Sequence, residues 1–302
     1  MIDSIRNDLR QVFNSGNMVT RLLVINIIVF VILILLKAFL QNLGYFQPIF
    51  DNLAMPGQLG KLMYKPWTIF THMFMHVGFW HVVWNMVGLH LFGRIVGDLL
   101  GDQRILPIYL WGGLAGAVTF VLYAVLAIPG VDSTAHGASA AVCALAAVAG
   151  VVAPDYGIRL LLIGDVKLKY IVLAFLVFDL VGTQGGVNSG GHFAHLGGML
   201  MGAIIAYQLR SGNDLTSGLS HFIKNLRSSN SRQPSKPMSR SKMKVEYKAP
   251  AFSMRQNAEP RNESPEYETE LNRILDKIKN QGYNKLSSDE KEFLNKASKR
   301  DI

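Results

Sequence analysis

Three things are scarce in this sequence: charged residues, cysteine and, over most of its length, glutamate. Charged residues make up 17% of the 302 positions, whereas a soluble globular domain carries about 25%. The single cysteine, Cys143, excludes an intramolecular disulfide. No glutamate precedes Glu246, so the His-Glu-x-x-His motif of glutamate-dependent zinc enzymes is excluded from the apolar part of the chain. The composition is unusual for a soluble enzyme of this size.

Long apolar runs are what the sequence has instead. Half of its residues are hydrophobic, and they are concentrated before about Leu209, after which the chain is polar and basic and carries most of the net charge of +9. About 20 apolar residues cross a bilayer, and the runs predict an all-α membrane protein with six transmembrane helices. The predicted spans are residues 19–40, 81–100, 105–128, 139–153, 168–182 and 191–209.

The first run has a competing interpretation as a secretory signal peptide. Such a peptide has a shorter apolar region followed by a small-x-small cleavage site, which Lys37-Ala38-Phe39-Leu40 lacks, so we expect an uncleaved span. An even number of spans places both termini on one side, and most Lys and Arg residues between the spans fall on that same side, which is typically cytoplasmic. We therefore expect a multi-pass protein of a bacterial inner membrane, with residues 1–18 and the C-terminal tail in the cytoplasm.

One serine stands out at the start of the fourth span. Ser139 lies in a Gly137-Ala138-Ser139-Ala140 turn at the beginning of a short apolar helix, where backbone N–H groups without partners favour developing negative charge. About 15 residues are too few to cross the membrane. We therefore expect Ser139 below the outer surface, inside the bundle and beside a pocket that admits water. A serine nucleophile needs a base, and His195 in the sixth span is the candidate.

Small residues offer a route by which these two side chains meet. The fourth span repeats alanines, and the sixth repeats Ala194, Gly198, Gly202 and Ala206 at four-residue spacing. Small faces let helices approach closely, and a side chain at Gly198 would separate the two spans. The competing interpretation is ordinary membrane packing, with Ser139 only a helix cap.

A third cluster makes a catalytic interpretation stronger. His81 and Asn85 are four residues apart at the start of the second span, so both side chains project from one helix face. Both can donate hydrogen bonds to an oxyanion. A serine, two histidines and an asparagine at the outer ends of different spans predict acyl-transfer chemistry.

These motifs, in this order and on these spans, resemble the rhomboid intramembrane serine proteases in their six-span bacterial form. The resemblance covers residues 19–209 and implies that Ser139 and His195 form a catalytic dyad and that His81 and Asn85 bind the oxyanion. It also implies that His76 belongs to a supporting hydrogen-bond network under the first outer loop, and that Trp67 belongs to that loop. Further, Phe178-Asp179 resembles the end of the family's fifth span.

Three positions depart from the family pattern. Thr68 stands where an arginine is usual, so the anchoring of the first loop is expected to differ. Ala140 stands where the motif ends in glycine, and its methyl group is expected to tighten the approach of the sixth span. Cys143 stands where some members carry an aromatic ring that packs on the catalytic histidine, which leaves the orientation of His195 undetermined.

The resemblance implies a reaction that needs no cofactor or metal. The substrates it implies are single-span membrane proteins that enter sideways near the fifth span, with residues 182–191 as a mobile cap. No third, acidic catalytic member is expected: an aspartate such as Asp179 near the end of a span is more often satisfied by loop N–H groups.

Two other classes of function stay open. A histidine-only metal site or a haem is suggested by His72 with His76 and by His192 with His195. The second alternative is a non-catalytic rhomboid-like protein that binds membrane helices without cutting them. Loss of the serine or the histidine would mark that class, and both are present here.

The tail divides into two parts. Residues 211–262 are expected to form a basic, disordered linker drawn to anionic lipid; a helix on the inner membrane surface or a plain linker is predicted for residues 214–228. Nucleic-acid binding is not expected, because stacking aromatics are not interleaved with the basic residues. Residues 263–302 predict a short helical hairpin with a capping box at Ser287-Ser288-Asp289-Glu290. Since it buries little core alone, we expect it to dock on a partner or on another copy of the chain.

Overall fold

The computed structural model describes Arg6, residues 16–160, 164–184, 188–229, 265–281 and 283–298. The chain divides into two compact units, Met1–Ser235 and Lys236–Ile302. The first unit is mostly helical. Its helices are α1 (Met18–Leu40), α2 (Phe46–Leu53), α3 (Leu59–Tyr64), α4 (Thr68–Thr71), α5 (Phe79–Leu100), α6 (Ile105–Ala127), α7 (Ser139–Val152), α8 (Leu168–Gly182), α9 (Ser189–Arg210) and α10 (Ser217–Ser229), and 3₁₀ turns occupy His72–Phe74 and Asp102–Arg104.

A helix lies at each of the six predicted spans, within two residues of every predicted boundary. Two helical stretches among the described residues, Met18–Leu40 and Asp102–Ala127, are long and apolar enough to cross a membrane, judged by length and composition alone. Helix α7 is apolar but shorter, as the sequence predicted. Crossing of the membrane by all six helices stays a prediction.

The chain is mostly helical, as the sequence predicted, and two short antiparallel pairs of strands occur beside the helices. Strand β1 (Met55–Pro56) pairs with β2 (Thr134–Ala135), with Met55 opposite Ala135. Strands β3 (Gly157–Leu160) and β4 (Gly164–Lys167) pair at the other end of α7. The first pair matters for the site, because it ties the loop after α2 to the segment that precedes Ser139.

Helix α7 lies at the centre of the first unit. Most of its side chains are buried, and they are small: alanine and valine dominate between Ser139 and Val152. Neighbouring helices meet it through glycines. A Cβ added at Gly112 of α6 or at Gly202 of α9 would collide with Ala144. The backbones of α6, α7 and α9 therefore approach one another closely, because the residues at these contacts have small side chains or none.

The outer surface of the unit is apolar. Helix α1 exposes Ile28, Val31 and Leu35, and α8 exposes Leu173 and Val177. An exposed apolar surface this extensive is unfavourable in water and favourable in lipid. It agrees with a membrane-embedded domain.

Ion pairs mark the two ends of the bundle. Arg104, just before α6, contacts Asp214 after α9 at 2.8 Å, and the carboxylate of Asp102 accepts a hydrogen bond from the first N–H of α1. Beyond the far end of α6, Lys61 contacts Asp132 at 2.7 Å. The start of the tail therefore lies at the end of the bundle where α1 begins, and the loop carrying Asp132 lies at the other end.

The second unit contains helices α11 (Pro265–Gln281) and α12 (Ser288–Ser298). Glu290 on α12 is 8% exposed and contacts Arg273 and Lys277 of α11. It also accepts a hydrogen bond from the N–H of Ser287, and Ser287 Oγ accepts one from the N–H of Glu290, which is a capping box. The Lys277 hydrogen bond, with that of Ser287, lowers the pKa of Glu290 to about 2, so its contribution to stability is present above pH 4.5 and is lost as the pH falls towards 2.

One prediction for the tail, the disordered linker, lies mostly outside the described residues. Within the predicted linker at residues 211–262, the structure describes residues 211–229 and not residues 230–262. Helix α10 occupies the position of the predicted surface helix, and the Ser220 hydroxyl donates to the carbonyl of Gln103. Lipid contact by α10 and docking of the second unit on a partner stay predictions.

Candidate active site

Ser139 is the first residue of α7, and the turn before it is held by backbone hydrogen bonds. The N–H of Gly137 donates to the carbonyl of His72 at 2.8 Å, and the N–H of Gly57 donates to the carbonyl of Ser133 at 2.8 Å. Gly137 has a φ of 120°, which side-chain-bearing residues rarely adopt. The hydroxyl is thus presented at the N-terminus of a buried helix, where free N–H groups favour negative charge.

The ring of His81 lies directly over Gly137. A Cβ at position 137 would lie 2.7 Å from Nε2 of His81 and 3.8 Å from Oγ of Ser139. Glycine is therefore required twice, once for its backbone conformation and once for space. The His81 ring and the serine hydroxyl both lie within 4 Å of the position that this Cβ would take.

His76 supports the turn from beneath. It is fully buried, and its Nε2 accepts a hydrogen bond from the N–H of Ala138 at 3.2 Å. Its ring meets the ring of His81 edge-on, with centroids 5.1 Å apart. His76 thereby connects the first loop to both the turn and the second histidine.

Asn85 lies one turn below His81 on α5 and is 6% exposed. Its amide donates one hydrogen bond to the carbonyl of His81 at 2.7 Å. An amide nitrogen carries two hydrogens, so the second remains for a ligand. His81 and Asn85 thus line one cavity from one helix face.

His195 is positioned by an acidic residue. Its Nδ1 lies 2.8 Å from Oδ1 of Asp179 on α8, and Nδ1 of His192 lies 2.8 Å from the same oxygen. Asp179 is buried. Because an ionised carboxylate only accepts hydrogen bonds, His195 donates through Nδ1 and keeps Nε2 as the acceptor. The expectation that loop N–H groups satisfy Asp179 is wrong, since two imidazoles do so.

The close approach of α7 and α9 occurs at Gly198. A Cβ there would collide with the backbone carbonyl of Ala140, one residue after Ser139. Gly202 contacts the carbonyl of Ala144 in the same way. The small-residue stripe of α9 therefore faces the serine helix through backbone atoms that cannot move aside.

These side chains surround one cavity of about 840 Å³. Ser139, His195, His81 and Asn85 all line it, together with Asp179 and aromatic side chains of α5 and α8. Among the described residues, the hydroxyl of Ser139 makes no hydrogen bond to His195. Proton transfer between them requires a shorter separation, which enzymes often reach only with substrate bound.

Comparison with known proteins adds sequence relationships to this geometry. The rhomboid domain family matches residues 64–212, which include every cavity residue named above. Presenilin-associated rhomboid-like protein A, mitochondrial, of Danio rerio is 32% identical over 131 residues, covering 43% of this chain and 34% of that protein. The chain belongs to the rhomboid family.

Other relatives of this rhomboid match over shorter segments. RHOMBOID-like protein 12, mitochondrial, of Arabidopsis thaliana is 38% identical over 56 residues, covering 18% of this chain and 17% of that protein. Rhomboid-like protein 16, chloroplastic, of the same plant is 39% identical over 54 residues, with the same coverage. The matches thus span about a third or less of the relatives' lengths. Residues 261–300 match a separate family of unknown function, DUF6576.

The structure gives an environment to two of the three positions that depart from the family pattern. Thr68 is fully buried and donates to the carbonyl of Lys65 at 2.6 Å, so a neutral hydrogen bond occupies the arginine position. The methyl group of Ala140 faces Gly116 of α6. The Ala140 carbonyl meets α9 at Gly198, and the expectation that the methyl group tightens the approach of the sixth span stays a prediction.

The metal alternative has one candidate cluster among the described residues. Cys143, Asp179 and His195 each place a ligand atom within 4.8 Å of the others. The hydrogen bonds from His192 and His195 already account for this arrangement. The pair His72 and His76 is not part of that cluster: Nδ1 of His72 contacts the Thr68 carbonyl, and His76 accepts from Ala138.

Two residues of the site were missed or undervalued at the level of sequence. His136 lines the cavity, and its ring lies 5.6 Å from the ring of His81; its position directly before Gly137 was the available signal. Asp179 was considered and assigned to structure. The predicted cap at residues 182–191 falls partly outside the described residues, because residues 185–187 are not described.

Proposed function

We propose that this rhomboid is an intramembrane serine endopeptidase that cleaves single-span membrane proteins in or near their transmembrane segment. One observation carries the proposal: Ser139, His195, His81 and Asn85 line a single cavity inside an apolar helical bundle. Nucleophile, base and oxyanion donors are the groups that acyl transfer requires. The orientation proposed with it has both termini of the membrane domain in the cytoplasm.

The proposed reaction follows from the atoms that face the cavity. Nε2 of His195 takes the proton of Ser139 as Oγ attacks the carbonyl carbon of the scissile peptide. The oxyanion accepts hydrogen bonds from His81, from the second amide hydrogen of Asn85 and from the N–H of Ser139. His195 then gives its proton to the leaving amine nitrogen, and water hydrolyses the acyl-enzyme by the reverse sequence.

A second candidate function is binding of membrane helices without cleavage. The missing hydrogen bond between Ser139 and His195 favours it, because a dyad that never closes does not transfer a proton. Both functions use the same cavity. They differ in whether Ser139 reacts.

The deciding experiment compares the purified full chain with its Ser139→Ala variant on a model single-span substrate in liposomes. Ser211→Ala, which removes an exposed hydroxyl just after α9, is the matched control. A serine-reactive fluorophosphonate provides a readout that needs no substrate. We expect cleavage and labelling by the wild type and Ser211→Ala, and neither by Ser139→Ala. Cleavage by all three proteins, or labelling of none, overturns the proposal, and substrate binding without labelling establishes the second function.

A further inference from the structure

One carboxylate oxygen in this bundle serves two imidazoles. Oδ1 of Asp179 lies 2.8 Å from Nδ1 of His192 and 2.8 Å from Nδ1 of His195, and the Asp179 side chain is 4% exposed. Among the described residues, the side-chain hydrogen bonds to Asp179 come from these two histidines. A carboxylate so deeply buried is costly unless paired, and the two imidazoles are its partners.

The position of Asp179 is not explained by the end of its helix. The backbone carbonyl of Asp179 accepts the closing hydrogen bond from the N–H of Thr183, while its side chain contacts the imidazoles of His192 and His195. The carboxylate lines the same cavity as Ser139. A residue needed only for capping would use its oxygens on loop N–H groups.

His192 packs against two neighbours from α8 while it contacts the carboxylate. A Cβ at Gly182 would collide with the His192 ring, and the ring of Phe178 meets it edge-on with centroids 5.6 Å apart. The side chain of His192 is 14% exposed. Both the acceptor oxygen and the competing donor are therefore fixed in place.

We propose that Asp179 is a positioning residue for His195, the base of the Ser139–His195 dyad, with His192 holding the carboxylate in place. The inference rests on the proposed function. Asp179 fixes the tautomer of His195, so that Nε2 faces the cavity as a base, and it stabilises the imidazolium formed when Ser139 loses its proton. Cys143 beside His195 carries no ring to orient it, and the carboxylate supplies that orientation.

The charge environment of His195 makes the test specific. The titratable groups near it are Asp179 on α8, Cys143 on α7, His81 on α5 and His192 on its own helix. Asp179 is the only acidic group among them. Removing its charge removes the attraction that favours the protonated imidazole.

The first test is Asp179→Asn in the full chain, measured by fluorophosphonate labelling of Ser139 and by substrate cleavage. We expect both rates to fall by about 10²- to 10⁴-fold. The lower figure is the typical cost of a group misplaced by about 1 Å, and the higher is the cost of losing the carboxylate that orients a catalytic histidine. The acid limb of the pH–rate profile should also move to lower pH. Asp98→Asn, the same change at an exposed site in the last turns of α5, is the control and should leave the rate and the profile unchanged.

A second variant gives a shift of opposite sign. His192→Phe keeps a ring beside Phe178 but removes the competing donor, so His195 has the whole carboxylate and the acid limb should move to higher pH. The His192→Phe variant also tests the inference if Asp179→Asn does not fold. Unchanged labelling by Asp179→Asn, or rate losses in both variants with no shift of either acid limb, overturns the inference. Labelling of wild type but not Ser139→Ala leaves the proposed function standing in that case.

Discussion

At the scale of single residues, the site depends on which hydrogens remain free after internal contacts are made. His76 uses Nε2 on the turn, His195 uses Nδ1 on Asp179, and Asn85 uses one amide hydrogen on the carbonyl of His81. Nε2 of His195 and the second amide hydrogen of Asn85 remain, and both of these side chains line the cavity. Each donor is held by its own helix or loop before substrate arrives, and such preorganisation is what makes oxyanion stabilisation effective.

The second amide hydrogen of Asn85 carries a quantitative prediction. Asn85→Ala should lower the rate of substrate cleavage by on the order of a hundredfold or more, the typical cost of one oxyanion donor. Its effect on the unfolding temperature should be small, because the internal hydrogen bond closes only one turn of α5. Asn52→Ala, at an exposed amide outside the cavity, is the matched control. Equal turnover by the two variants would remove Asn85 from the site.

At the scale of elements, the contact between α7 and α9 controls the distance between serine and base. Both Gly198 and Gly202 meet backbone atoms of α7. Backbone cannot rotate aside as a flexible side chain does, so any Cβ there separates the helices. The stripe is therefore a constraint on catalysis as well as on packing.

Gly198→Ala should accordingly inactivate the protein while leaving it inserted in the membrane. A displacement of about 1 Å can cost on the order of a hundredfold in rate, and Gly198→Val should be worse. The exposed Gly60 in α3, whose Cβ would meet nothing within 4 Å, supplies the control Gly60→Ala. The measurement is cleavage per folded protein. Near-normal activity of Gly198→Ala would mean that the helices do not meet at this face during the reaction.

At the scale of the whole molecule, the ion pairs at the two ends of α6 define a topology. Arg104 and Asp214 lie before that helix, and Lys61 and Asp132 lie beyond it. A helix of 23 residues is about 35 Å long at 1.5 Å per residue, enough to span the apolar core of a bilayer. The two ion pairs would then face opposite aqueous compartments.

Reporter fusions in a bacterial host test this arrangement. A phosphatase that is active only outside the cytoplasm should be inactive when fused after Arg210 and active when inserted near Asp132, because basic residues favour the cytoplasmic side. A fluorescent protein that folds only in the cytoplasm should give the reverse pattern. Activity on the same side at both positions would contradict the six-span count, and a full reversal would contradict the orientation.

The sequence by itself determined the family, the helix positions and four of the side chains that line the cavity, those of Ser139, His195, His81 and Asn85. The lengths of the apolar runs limit where a helix begins and ends. The motifs that contain His81, Asn85, Gly137, Ser139 and His195 can be read directly from the chain, because each motif is a short stretch of sequence. The family was confirmed by the match over residues 64–212.

Only the tertiary structure decided which partner each buried group takes. Asp179 contacts imidazoles because of the rotation of α8 against α9, and the methyl group of Ala140 faces α6 because of the rotation of α7. His136 entered the cavity through the pairing of β1 with β2. Periodicity in a sequence states which face of a helix is apolar or small, but it does not state which atoms of the next helix that face will meet.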